Sequence, residues 1–267
     1  MAKEVPFSKI HGAGNDFILI DNRPLFLEES DYPLIRHLCC RRLGIGADGL
    51  MLLYPASETE LHLKYYNADG HPAEMCGNGA RCAVAFMNRL FPQQKQFSLF
   101  INQNTYRGEM LPDGSARIYW PQAPRLVDVP GLAEEIPDDF SRHMFVNSGV
   151  PHLILQPRKS LDKINVLKWG SHYRRHPLFR PGGSNVNFIA EEKGNWRLRT
   201  YERGVESETL ACGTGALAVA FALQKWKLQK LPVKLQARGG ALSVGCTNSK
   251  WWLEGPVQFV FHGTVLI

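Results

Sequence analysis

The sequence predicts an α+β fold of two similar halves, each a β-sheet curled around one helix. Three observations predict it. First, the chain contains an internal echo: Cys76-Gly77-Asn78-Gly79-Ala80 opens a run ending in Ala-Val-Ala-Phe, and Cys212-Gly213-Thr214-Gly215-Ala216 opens another. Second, each of these follows an alternating, strand-like segment, Leu61 to Asn67 before the first and Trp196 to Tyr201 before the second. The shared order of strand, loop, cysteine and helix is the mark of a duplicated unit. Third, segments that read as strands outnumber those that read as helices.

The two helices are expected over residues 80–90 and 216–226, which are rich in Ala, Leu, Val and Phe and free of proline until Pro92 and Pro232. Their apolar residues fall on most faces, so each should be buried within its sheet. Further strands are expected at Asp16 to Asp21, Phe97 to Asn102, Ala116 to Trp120, Pro151 to Gln156 and Val186 to Ala190. Four more follow near the end: Val233 to Ala237, Ala241 to Gly245, Trp251 to Glu254 and Val257 to Phe261. The stretch Pro121-Gln122-Ala123-Pro124 is the natural linker between the halves.

At 267 residues, with 44% hydrophobic and 21% charged side chains, the chain is long enough to bury a substantial core. No stretch approaches the roughly 20 apolar residues of a membrane helix, and Met1 to Pro6 is too polar for a secretory signal. The expectation is a cytoplasmic protein without a membrane partner. Six cysteines in a chain of this length do not form a disulfide scaffold. The net charge of +6 raises the question of nucleic acid. The densest basic stretch, Lys168 to Arg180 with Arg174, Arg175 and His176, is read as a solvated face, and no recognition motif accompanies it. A mild positive excess also suits an anionic metabolite.

The chemistry gathers at the two helix starts. A cysteine there meets the positive end of the helix dipole, which draws its pKa below the usual value of about 8.5. The adjoining N–H groups of Gly77 and Asn78, and of Gly213 and Thr214, form two anion-binding sites. Together they fit removal of the α-proton of an amino acid by one sulfur and reprotonation from the other face by the second, with no cofactor required. No metal is expected, because neither Cys76 nor Cys212 has a Cys or His nearby at ligand spacing. Cys39, Cys40 and Cys246 read as small core residues, and Cys82, six positions after Cys76, is turned off the face of that thiol.

Four segments carry a resemblance to a known family. They are His11-Gly-Ala-Gly-Asn-Asp-Phe17, Asn67-Ala-Asp-Gly70, Met75-Cys-Gly-Asn-Gly-Ala-Arg-Cys82, and Tyr201-Glu-Arg-Gly204 with Leu210-Ala-Cys-Gly-Thr-Gly215. From about Phe7 onward the chain resembles the diaminopimelate epimerases. The resemblance implies two pseudo-symmetric domains, each a curled, mostly antiparallel β-sheet wrapped around a central helix. Their bounds would be residues 1–121, joined by a returning strand at 257–267, and residues 122–256. It implies interconversion of LL- and meso-2,6-diaminopimelate on the route to lysine and peptidoglycan, and a homodimer. Residue by residue, it makes Cys76 and Cys212 the acid–base pair and places His152 and Glu202 beside them to assist proton movement. It assigns substrate contacts to Asn15, Asn67, Asn185, Glu202 and Arg203, and to the helix-start amides of Gly77, Asn78, Gly213 and Thr214. Without it, His152 reads as a core residue at the start of the strand Pro151-His-Leu-Ile-Leu.

The sequence departs from that family at three places. Gly49 stands where the family often has Gln, Val150 where it has Asn before Pro-His, and Arg203-Gly-Val-Glu-Ser-Glu-Thr209 is one residue longer than usual. These changes bear on recognition of the distal amino acid centre. Three alternatives compete. A proline or hydroxyproline racemase shares the two-cysteine logic, but Asn67-Ala-Asp-Gly70, Tyr201-Glu-Arg-Gly204 and the basic Arg203 argue against it. A thiol oxidoreductase or peroxidase needs a resolving cysteine close by, and no Cys-x-x-Cys is present. A non-catalytic anion-binding module would keep its function without either thiol.

Overall fold

A computed structural model describes residues 2–73 and 76–267. The chain divides into two compact units, one formed by Met1–Pro121 with Glu254–Ile267 and the other by Gln122–Leu253. The return to the first unit therefore begins at Glu254 and not at Val257. Glu254 is tied to that unit by an ion pair, Arg117 Nη2 to Glu254 Oε2 at 2.7 Å, and the same guanidinium reaches Glu109 at 3.1 Å.

In the first unit the elements run β1 (Glu4–Gly12), β2 (Asn15–Asp21), α1 (Tyr32–Cys39), β3 (Gly49–Pro55), β4 (Glu60–Asn67), α2 (Gly77–Leu90), β5 (Gln96–Ile101), β6 (Asn104–Met110) and β7 (Ala116–Tyr119). In the second they run β8 (Arg125–Leu126), β9 (Phe140–Asn147), β10 (Pro151–Pro157), α3 (Val166–Arg174), β11 (Asn185–Glu192), β12 (Asn195–Glu202), β13 (Ser207–Thr209), α4 (Gly213–Lys225), β14 (Val233–Ala237) and β15 (Gly240–Thr247). Strand β16 (Lys250–Gly255) carries the chain back, and β17 (Val257–Leu266) belongs to the first unit.

Strand pairing makes the repeat explicit. In the first unit β1–β2 is antiparallel, β2–β3 parallel, β3–β4 antiparallel, β4–β5 parallel and β5–β6 antiparallel. In the second, β9–β10, β10–β11, β11–β12, β12–β14 and β14–β15 follow the same alternation. Each parallel pairing needs a crossover. The first crossover of each unit carries a short helix, α1 or α3, and the second carries the long helix, α2 or α4.

The long helices are central. Helix α2 touches β1, β2, β5, β6, β7 and β17, so the sheet curls fully around it. Every residue from Gly77 to Met87 is buried. In α4, Gly213 and all of Gly215 to Leu223 are buried. The short helices cover the outer sheet faces. Ile35 and Leu38 of α1 pack on Ile18 and Ile20 of β2 and on Leu50 and Leu52 of β3. Val166 and Tyr173 of α3 pack on Val186 and Phe188 of β11 and Tyr201 of β12. Both faces of β2 and β3 are thus covered, which explains their unbroken apolar runs.

A charge network, buried only at Lys9, secures the β2–α1–β3 crossover. Asp16 takes Lys9 at 2.7 Å and Arg41 at 2.7 Å, and Arg41 also reaches Asp48 at 2.7 Å. Lys9 is 6% exposed and donates in addition to the carbonyl of Gly46. Burial pushes the Asp16 carboxyl up, but hydrogen bonds and charge from Arg41 and Lys9 outweigh it and hold the pKa at about 2. Because that pKa is depressed in the folded state, its stabilisation is complete above the unfolded value of about 3.9 and is lost as pH falls towards 2. Urea unfolding of the wild type is expected to weaken between pH 4 and pH 2 more steeply than that of Asp16→Asn. Equal slopes for the two proteins would show that Asp16 is not the group responsible.

Candidate active site

In the first unit, the turn between β1 and β2 sets Ala13 and Gly14 at positive φ (53° and 84°) and delivers Asn15 at the start of β2. Asn15 Nδ2 donates to Asp48 Oδ2 at 2.7 Å. An ionised carboxylate only accepts, so the amide nitrogen must face it and the amide oxygen must point the other way. That oxygen accepts from Asn78 Nδ2 at 3.2 Å and from the Cys76 sulfur at 3.5 Å. Asn78 is oriented in turn by Arg81, whose Nη2 donates to Asn78 Oδ1 at 2.9 Å. The chain of donors runs one way: Arg81 to Asn78 to Asn15 to Asp48.

Cys76 itself is the N-cap of α2, with extended backbone and no cap bond from its side chain. The N–H groups of Gly77 and Asn78 have no acceptor within the helix. Beneath them Arg81 is fully buried, and among the described residues it has no carboxylate partner and its Nε has no hydrogen bond. Burial pulls its pKa down, while negative charge on Cys82 or Cys76 would raise it again. Two influences therefore meet on the Cys76 sulfur. The Asn15 oxygen favours S–H, and the helix start with Arg81 favours the thiolate.

The second unit repeats the thiol in different surroundings. Cys212 is the N-cap of α4, is 4% exposed and lies 3.5 Å from Thr214 Oγ1. Ser148 Oγ donates to the Thr214 carbonyl at 2.8 Å and ties the helix start to the β9–β10 turn. On β10 His152 is fully buried, with Asn187 Nδ2 at 3.0 Å from its Nδ1. Asn187 also donates to the Leu153 carbonyl at 3.2 Å and accepts from Thr200 Oγ1 at 3.0 Å. Burial, reinforced by the Arg203 charge, pushes His152 down to about 3. A Cβ on Gly215 would stand 2.5 Å from Asn187 Oδ1 and 3.3 Å from the Cys212 sulfur. Only glycine lets the helix start lie this close to both.

Asn185 uses its side chain on backbone, accepting from Arg203 N at 2.8 Å and donating to the Pro151 carbonyl at 3.2 Å. It thereby braces the segments that carry Arg203 and His152. Glu202 accepts from Thr209 Oγ1 at 2.8 Å. Within the first unit, Asn15, Cys76, Gly77 and Asn78 come together, and Asn67 is exposed at the end of β4, in register with Gly49. Within the second, His152, Asn185, Glu202, Arg203, Cys212, Gly213 and Thr214 lie on β10, β11, β12, the turn after it and the start of α4. Met75, which opens the third motif, lies outside the described residues.

The departures have physical settings. A Cβ on Gly49 would meet Tyr65 Cε2 and the Tyr66 carbonyl, each at 2.6 Å. The Tyr65 ring, edge-on to Phe17 at 5.9 Å, fills the space a longer side chain needs. The extended loop after Arg203 carries Glu206, which pairs with Arg174 at 2.9 Å and Arg175 at 3.6 Å. The basic stretch read as a solvated face is thus partly spent on this loop. Cys39 and Cys82 are buried, but Cys40 is half-buried and Cys246 is exposed on β15, which corrects their reading as core. Cys246 continues the strand face of buried Leu242 and Val244, but it lies at the end of β15, where the chain runs into the exposed residues 247–250. Asp48, Arg81 and Asn187 were missed. The signal for Arg81 was an arginine in an otherwise buried helix, and for Asn187 a polar residue inside an apolar strand.

Among the described residues no group of three or more His, Cys, Asp or Glu is arranged to hold a metal ion. Among the described residues no helix is long and apolar enough to cross a membrane.

The sequence matches the family model for diaminopimelate epimerase over residues 7–105 and 144–260. A diaminopimelate epimerase of Chlorobaculum tepidum is 38% identical over 96% of this chain and 99% of its own length. One from Methanocella arvoryzae is 32% identical over 98% and 97%. Among solved structures, a Bacillus anthracis phenazine biosynthesis protein of the PhzF family superposes with a TM-score of 0.76 at 14% identity, covering 99% of this chain and 100% of the other. A hydroxyproline epimerase from Agrobacterium vitis gives 0.67 at 14% identity, covering 99% and 92%. The structural likenesses show the shared fold, and the sequence matches show the family: this chain belongs to the diaminopimelate epimerases.

Proposed function

We propose that this protein interconverts LL- and meso-2,6-diaminopimelate, in lysine and peptidoglycan synthesis, with Cys76 and Cys212 as a two-base pair. The observation that carries the reading is the repeated thiol at the N-cap of a buried helix, once in each unit. One sulfur, as thiolate, takes the α-proton, and the other, as thiol, returns a proton from the opposite face. The carbon is inverted with no net gain or loss of protons. Negative charge that develops on the α-carboxylate is received by the amides of Gly77 and Asn78 and of Gly213 and Thr214, which act most strongly where water is excluded. Arg203 offers its guanidinium to the second carboxylate, and Asn15, Asn67, Asn185 and Glu202 complete the contacts. The thiols and amides supply the chemistry in this reading without a cofactor. A cytoplasmic homodimer completes it, and light scattering tests the dimer. Val260, Phe261 and Leu266, exposed on β17, support it.

Acid–base groups typically contribute about 10²–10⁴-fold to rate. Cys76→Ala and Cys212→Ala are each expected to lose at least about 100-fold in turnover while keeping the circular dichroism of the wild type. The assay is proton NMR of LL-diaminopimelate in D₂O, in which product gains solvent deuterium before recovered substrate does. Near-normal turnover in either variant would reject the two-cysteine pair, and equal early labelling would point to a single base.

Gly49 and Val150, which present no polar side chain where the family has Gln and Asn, also support a looser grip on the distal end. A site that hydrogen-bonds a substrate group rejects analogues lacking it, because its own buried donors are then stranded. Val150 has no polar side chain to strand. Slow racemisation of glutamate is expected in the wild type, falling relative to diaminopimelate turnover in Val150→Asn. An unchanged ratio would clear Val150 of the effect.

A further inference from the structure

The family resemblance casts His152 as a residue that assists proton movement. We propose a different role: Asn187 locks the His152 imidazole as its neutral, Nε2-protonated tautomer. His152 then serves the site as a fixed hydrogen-bond donor and carries none of the reaction's protons. The tautomer follows from local geometry alone, and only its use in epimerisation rests on the function proposed above.

The argument starts from the end of the network whose polarity is certain. The Leu153 carbonyl can only accept, so the Asn187 group 3.2 Å from it is the amide nitrogen. The amide oxygen then faces Thr200 Oγ1 at 3.0 Å, and the hydroxyl donates to it. With one N–H on Leu153, the second N–H of the same amide meets His152 Nδ1 at 3.0 Å. A proton on Nδ1 would set two hydrogens head to head, so Nδ1 presents its lone pair and a neutral ring carries its proton on Nε2. Turning the amide to suit a charged ring would set Asn187 Oδ1 against the Leu153 carbonyl, two acceptors face to face. All three residues that fix the arrangement, His152, Asn187 and Thr200, are at most 2% exposed, so water does not compete.

The surroundings reinforce the lock. Val146 of β9 and Asn185 of β11 flank His152 in the sheet, and neither carries charge. Helix α4, packed on β9, β10 and β11, brings the titratable Cys212 at its start and Lys225 in its last turn. The Arg203 guanidinium disfavours a second positive charge, and with burial it holds the ring neutral through the physiological range. Nε2 is buried with no hydrogen-bond partner among the described residues. A buried donor kept in this state is poised for an anionic acceptor, either a thiolate sulfur or a substrate carboxylate oxygen.

The test is ¹⁵N NMR of the histidine side chains, with the His152 signals assigned by their loss in His152→Gln. The expected result is an unprotonated Nδ1 and a protonated Nε2 at every pH from 6 to 9. In Asn187→Asp, a carboxylate facing Nδ1 should protonate that nitrogen, and a new limb should appear in the pH–rate profile near neutrality. Gln keeps a donor near the position of Nε2, so His152→Gln should keep more turnover than His152→Leu, which should fall on the order of 10²-fold. A shift of the Nε2 signal on adding diaminopimelate names a carboxylate as acceptor. A shift that follows thiol titration, and is lost in Cys76→Ala or Cys212→Ala, names sulfur. Protonation at Nδ1, titration of His152 between pH 6 and pH 9, equal loss in His152→Gln and His152→Leu, or no shift under either condition would each overturn the proposal. The locked tautomer in a protein without epimerase activity would reject the proposed function and leave the lock standing.

Discussion

A helix that begins inside a protein leaves its first backbone amides without acceptors, and burial forbids water from meeting them. Both central helices of this chain start under that constraint. Most helices answer it with Ser, Thr, Asp or Asn at the N-cap, whose oxygen takes one of the amides. Here both caps are cysteines that make no such bond. Much of the structure follows from leaving those positions open. The sheets must curl to enclose the helices, glycines must line the first turn, and the polar side chains nearby must be held by one another.

The two units solve the second problem differently. Around Cys76 the support is polar and charged, a line of amides strung between a buried arginine and a carboxylate that itself sits in a network with Lys9 and Arg41. Around Cys212 the hydrogen bonds come from an imidazole, an amide and two hydroxyls at the base of an apolar helix, with the Arg203 charge acting on the imidazole. A shared backbone plan thus presents the same functional group in two electrostatic settings. For the two-base pair proposed above, such a difference sets which sulfur holds the proton at rest.

What could be read in the sequence depended on how each element earns its stability. Strands β12 and β14 alternate in character, and α2 and α4 are long and apolar, so their positions were readable within a few residues. Strand β3 was not, because Gly49-Leu-Met-Leu-Leu-Tyr-Pro55 is covered on both faces and shows no period. Helices α1 and α3 are eight and nine residues long and are held by packing and by the caps Asp31 and Asn165, too short for a periodic signal to rise above its neighbours. The cysteines stood out because they recur in a repeated frame. Asp48 and Asn187 act through another side chain, and a partner brought close only by folding leaves no spacing to read.

The returning strand carries a consequence for how the molecule comes into being. Strand β17 pairs along the whole of β1, from Glu4 opposite Leu266 to Gly12 opposite Val257. Everything in the second unit lies between them in the chain. As the polypeptide leaves the ribosome, the segments of the second unit can therefore find all their partners while β1 still shows an unpaired edge. The first unit is begun before the second and completed after it. Until β17 emerges, that edge is open to any other strand that reaches it, including the β1 of a neighbouring nascent chain.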